Sequence, residues 1–169
     1  MGAGLSTATK VLDASPLDPR WSLYPETILE LGSPCRMRID LRAPIDSEIR
    51  QGITASGLAW PFAVVTASDP GGRVLDDVEN DTRASKLDED VAGLGVPACV
   101  ADGVSIDGHH RERGWAVCVD LASAMLVAER HGQSALFWFD GERFHLVPVL
   151  EPHAATIPLP TNRATGGAA

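Results

Sequence analysis

The chain has 169 residues and a formal net charge of -9, with 14 Lys and Arg against 23 Asp and Glu. That balance repels phosphate backbones and anionic lipid, so neither nucleic acid nor a membrane is expected as a partner. A hydrophobic fraction of 44% beside 22% charged residues excludes a disordered chain and suits one globular domain.

Met1 to Lys10 lacks the apolar run of a secretory signal, and no stretch approaches the ~20 apolar residues that span a bilayer. Met1-Gly2-Ala3-Gly4-Leu5-Ser6 fits an N-myristoylation pattern, which we read as coincidence in a composition of bacterial type. Cys35, Cys99 and Cys118 form no CxxC pair; they read as reduced, buried thiols of a cytoplasmic protein.

Residues 1–20 are small and polar and read as a flexible N-terminal arm. From Trp21 to Leu31, Pro25 followed by Glu26 allows a short helix. Arg36 to Leu41 alternates polar and apolar, as a half-buried strand does. Asp46 or Ser47 caps a helix that runs to about Ser56, with Gly57 as its stop. Pro61 to Ala67 is apolar throughout and is expected to be a central strand covered on both faces. Ser68 to Arg73 breaks the chain. Asp76 and Asp77 start a long helix with Val78, Leu87, Val91 and Leu94 as its apolar stripe and Gly95 at its end.

Ala98 to Ile106 is a strand, Asp107 to Gly114 a polar turn, and Trp115 to Val119 a second strand. A helix from Ala122 to Arg130 closes at His131-Gly132. Ser134 to Phe139, the Asp140-Gly141 turn and Phe144 to Val149 form a hairpin. Residues 150–169 are rich in Pro, Thr and Gly and read as a disordered C-terminal tail. The expected architecture is a single α+β domain over 21–149, with a mixed β-sheet in the order β-α-β-α-β-β-α-β-β and helices packed on it.

The segment Thr66-Ala67-Ser68-Asp69-Pro70, followed by Glu79-Asn80, Arg83, Leu87 and Arg130-His131-Gly132-Gln133 before an apolar strand, resembles the bacterial family known as domain of unknown function 3293. The resemblance covers about Pro61 to Val149. Asp69 stands where the family has Asn, and His131 where an aromatic residue is expected. It implies no activity.

The turn after the buried strand is the candidate site, because ligands of α/β folds favour the ends of strands. Gly71 and Gly72 let a backbone approach closely, and Arg73 offers a bidentate contact. Thr66, Asp69, Asn80, Arg83 and Gln133 complete the candidate ligand-binding set. Each has a plainer reading as a turn, cap or junction residue. His109-His110-x-Glu112 suggests metal but reads as an exposed turn, and Asp69, Asp76, Asp77 and Glu79 read as acidic helix caps. No catalytic residue, metal ligand set or cofactor motif emerges. The expected function is binding of a small polar metabolite or nucleotide. The alternatives are a Mg²⁺-dependent hydrolase on Asp69, Asp76 and Glu79, and a protein-interaction module or homodimer that pairs through a Trp138 hairpin edge.

Overall fold

The computed structural model describes residues 18–33, 36–151 and 154–160. The remainder of the expected arm and tail, together with Cys35, lies outside the described residues. A 3-10 turn, Trp21–Glu26, leads into β1, Thr27–Leu31, and β2, Met37–Asp40. Then follow α1, Ser47–Ala55; β3, Phe62–Thr66; a short 3-10 turn, Pro70–Gly72; and α2, Asp77–Leu94. The second half comprises β4, Ala98–Ser105; β5, Arg111–Glu112; β6, Gly114–Val117; α3, Leu121–Arg130; β7, Ala135–Phe139; β8, Phe144–Pro148; and β9, Ile157–Pro158.

The expected α+β class holds. The sheet runs β2-β1-β4-β6-β3-β7-β8-β9, with β5 added beside β4. It was expected to be mixed, yet each pairing among the described residues is antiparallel. The reason lies in the crossovers. Helix α2 carries the chain from β3 to β4 over the intervening β6, and α3 carries it from β6 to β7 over β3. Strands joined by a helix therefore run in the same direction but are never neighbours.

Two further elements differ from expectation. Thr27–Leu31 is a strand, not the end of a helix; Leu29 and Leu31 are fully buried while Glu30 points the other way. The chain also continues in order past residue 149. Ile157–Pro158 pairs with β8, and Leu159 is buried. Proline is tolerated there because an edge strand leaves one side of its ladder unpaired. At the other end, Asp18 of the expected arm is 1% exposed.

The sheet curls around one core. Leu29 and Leu31 of β1 share it with Phe62 and Val64 of β3, Phe144 of β8 and Ile45 and Ile53 around α1. Phe62, Phe139 and Phe144 meet with ring centroids 4.9–5.8 Å apart. The outer face carries a second core, where Ala63 and Val65 pack under Leu87 and Val91 of α2 and Ala124, Val127 and Ala128 of α3. Alternate residues of β3 thus serve different cores, so this strand is apolar throughout. Val78, expected in the stripe of α2, is instead 75% exposed; Ala84, Leu87 and Val91 form the buried face.

Strand β7 lies between β3 and β8, so the expected Trp138 edge does not exist. No helix among the described residues is long and apolar enough to cross a membrane. Cys99 and Cys118 are free and half-buried, and burial pushes the Cys99 thiol up.

Gly72 is held at φ 76°, in the left-handed region, and a Cβ there would collide with the Asp18 carboxylate. Gly72→Ala is expected to cost about 1–3 kcal/mol through backbone strain and loss of that approach. Thermal melting checks this; a melting temperature equal to that of the native protein would contradict it.

Candidate functional site

The end of β3 is built by its neighbours. Gly114 opens β6, where a Cβ would meet the Ala101 and Val65 carbonyls at 2.7 Å and the Thr66 methyl at 2.9 Å. The missing side chain lets β3 and β4 close on β6 and brings Thr66 to Glu112. Helix α3 ends in a Schellman turn. The Gln133 N–H donates to Ala128 and the Gly132 N–H to Glu129, with Gly132 at φ 70°. That turn delivers Gln133 to the start of β7, which pairs with β3.

The motif residues bond mainly to one another. Asp69 takes the left-handed φ of 44°, a conformation that Asn and Asp tolerate best after glycine. This explains why Asp can stand where Asn is expected. Asn80 Oδ1 accepts from the Asp69 N–H at 3.0 Å, and its Nδ2 donates to Asp69 Oδ1 at 2.9 Å. Asp69 Oδ1 also accepts from the Leu75 N–H at 3.0 Å. Arg83 donates from Nε to the Ala67 carbonyl at 2.6 Å and from Nη2 to the His131 carbonyl. The Gly71 N–H donates to the Gly132 carbonyl at 2.8 Å. His131, buried, meets Asp90 of α2 at 2.9 Å, and that bond holds the Asp90 carboxyl below its ordinary value.

The candidate set therefore divides. Asn80 and Arg83 hold the turn, and Gly71 and Gly72 allow its close packing. Arg73 is exposed, and none of these five borders the cavity described next. Asp76 accepts from the Glu79 N–H as a helix cap, and neither residue borders the cavity. Thr66, Asp69 and Gln133 do.

That cavity, of about 600 Å³, opens at one end of the curled sheet. Its wall is largely apolar, with Leu29, Val64, Val104, Phe137 and Leu146, while Arg20, Tyr24, Asp69, His110 and Glu112 stand at its polar side. Ligand sites of small proteins take this form at the mouths of β-barrels.

Sequence reasoning missed Arg20 and Tyr24, and it set His110 and Glu112 aside as an exposed turn. Arg20 Nη1 lies 3.1 Å from Asp69 Oδ2, 3.1 Å from His110 Nε2 and 3.5 Å from Glu112 Oε1. His110 Nε2 lies 2.9 Å from Glu112 Oε1. Tyr24 donates to the Asp18 carboxylate, whose backbone N–H donates to Glu151 at 2.7 Å. From Glu112 a polar chain runs inward: Gln133 Nε2 donates to Thr66 Oγ1 at 3.0 Å, and Thr66 donates to Glu112 Oε2 at 3.1 Å. Gln133 Oε1 is buried with no hydrogen-bond partner.

Asp69, His110 and Glu112 each present one atom within 4.8 Å of the others, a spacing that a metal ion could use. The Arg20 guanidinium already faces all three atoms. Burial alone would raise the Asp69 carboxyl, but the Leu75 N–H, the Asn80 amide, Arg20 and His110 hold it below 3.8. The Glu112 hydrogen bond raises His110 above 6.5, against the lowering effect of burial.

These shifts have opposite consequences for stability. Asp69 is depressed, so its contribution is present above 3.8 and is lost as pH falls through its folded value. His110 is raised, so its contribution is full below 6.5 and is lost as pH rises through its folded value. The urea midpoint of the native protein should fall as pH rises above 6.5, and His110→Gln should flatten that limb. An equally steep limb in the variant would assign the loss to another group.

Residues 65–136 match the family model described as Protein of unknown function (DUF3293). Over these residues the chain is similar to the domain of unknown function 3293. The matched segment of this domain contains the Thr66–Pro70 turn, the Asn80–Arg83 clamp and Gln133, which the hydrogen bonds above join into one junction. No curated protein and no solved structure matches the chain.

Proposed function

We propose that this domain binds a small molecule, with an apolar body and a polar head, in the cavity at the open end of the curled sheet. The observation that carries this reading is the Gln133 amide. It is 8% exposed and borders the cavity with Oε1 unpaired. A buried acceptor without a donor costs about 1–3 kcal/mol, and a bound donor relieves that cost. The apolar wall provides the contact area, and the chain through Thr66 to Glu112 fixes the amide in place.

Neither alternative has an observation of this kind behind it. A Mg²⁺ site on Asp69, Asp76 and Glu79 would need Asp76 to abandon its helix cap, and an interaction through Trp138 would need an edge that β8 covers. A nucleotide suits the cavity poorly, because Glu26, Asp69, Asp107 and Glu112 face it beside the cations Arg20 and Arg42. Composition and the reduced thiols support a bacterial, cytoplasmic protein, and binding rather than catalysis is our reading.

Gly103 provides the test. It borders the cavity opposite Leu29 in register, and a Cβ there meets only the Thr27 methyl at 3.7 Å. Gly103→Phe should fill the cavity without disturbing the fold. The neutral fluorophore N-phenyl-1-naphthylamine should bind the native protein saturably and fail to bind the variant. Equal binding by both, with matching melting curves, would place the fluorophore elsewhere and sink the proposal.

A further inference from the structure

We infer that the head group this cavity takes is a cation, and specifically the ammonium of a primary amine that carries an apolar tail. The inference rests on the binding reading above and names its ligand class. Its first ground is the state of the two cations at the cavity. Arg42 is held by Asp40, at 3.0 Å from Nε and 2.7 Å from Nη2. Arg20 faces Asp69 and Glu112 through Nη1, and its Nε lies 3.7 Å from Asp18. The charge of both guanidinium groups is thus matched by carboxylates of the chain itself, although Arg20 Nε is buried without a hydrogen-bond partner. An incoming carboxylate or phosphate would meet two cations whose charge is already matched by Asp40, Asp69 and Glu112.

The second ground is the count of charges. Four carboxylates border the cavity, from Glu26, Asp69, Asp107 and Glu112, against two arginines. Protonation of His110 would still leave the balance negative. Such a cavity attracts a cation and repels an anion.

The third ground is an unpaired acceptor. Gln133 Oε1 can only accept, and its amide sits one hydroxyl away from Glu112, through Thr66. An ammonium has three donors and no acceptor. Placed at Gln133 it gives that oxygen its missing partner and lies within the field of the Glu112 carboxylate. An alcohol head satisfies the amide but gains nothing from the charge. A carboxylate head satisfies neither. The apolar wall of Leu29, Val64, Val104, Phe137 and Leu146 then receives the tail.

The full chain can be tested with octylamine, octan-1-ol and octanoate, each displacing N-phenyl-1-naphthylamine near neutral pH. Octylamine should bind at least about tenfold more tightly than octanoate, with the alcohol between them. Glu112→Gln should narrow the gap between amine and alcohol, and an unchanged gap would overturn the amine assignment. Octanoate binding as tightly as octylamine would overturn the amine assignment, while the cavity would remain a binding site. Failure of the fluorophore and all three compounds to bind would overturn the cavity reading itself, and the amine assignment with it. Zn²⁺ alone is the final arm. If it binds and abolishes octylamine binding in the native protein, the Asp69, His110 and Glu112 cluster is a metal site and the amine assignment fails.

Discussion

Phe62→Ala is expected to lower the stability of the domain by about 3–5 kcal/mol. Phe62 is fully buried and meets Phe139 at 5.2 Å and Phe144 at 5.8 Å, so the ring joins two strands of the curled sheet from inside. Removing it takes away apolar contact and leaves a void between rings whose backbones are fixed by the ladders on either side. Native domains have only about 5–15 kcal/mol in hand, so the variant should melt far below the native protein or fail to accumulate. Urea unfolding followed by fluorescence gives the difference. A loss under about 1 kcal/mol would show that the three rings are not tightly packed.

Arg83→Ala is the second large effect. Its guanidinium holds two backbone carbonyls, Ala67 after β3 and His131 at the end of α3. The variant leaves both acceptors without their charged donor, at a cost of about 2–4 kcal/mol. Arg83→Lys should recover part of that loss, because a single ammonium has donors but lacks the planar fork. If Arg83 acted on a ligand instead, the alanine variant would keep its stability and lose binding of N-phenyl-1-naphthylamine. Stability and binding are therefore to be measured on the same samples.

The elements that were legible in the sequence are those whose pattern is local. The apolar run of β3, the capped helices α1 and α2, and the Asp140-Gly141 hairpin all follow from residues a few positions apart. Thr27–Leu31 was misread because Pro25-Glu26 looks like a helix start, and those two residues do lie in a 3-10 turn. The period-2 burial of Leu29 and Leu31 was nevertheless present in the sequence. The antiparallel sheet was not legible, because a helical crossover does not say whether a third strand slips between the two it joins.

The candidate site shows the same division. Thr66, Asp69 and Gln133 border the cavity because the turn and the strand pairing bring them there. Asn80, Arg83, Gly71 and Gly72 do not border it; they hold that turn. His110 and Glu112 are two apart, the spacing that puts neighbours on one face of a strand, and that signal was available in the sequence. Arg20 carried no signal. It reaches Asp69 across 49 positions and His110 across 90, and only the folded chain relates them.

The central claim is that the cavity beside Gln133 is the binding site. Two-dimensional NMR of the full chain, titrated with octan-1-ol, tests it most directly. The side-chain amide of Gln133 should shift, together with the backbone amides of Thr27, Gly103 and Val104 around the cavity wall. Saturable shifts confined to these residues are the expected result. Shifts confined to the exposed apolar residues Val74, Val78 and Leu126, with the Gln133 amide unmoved, would contradict it.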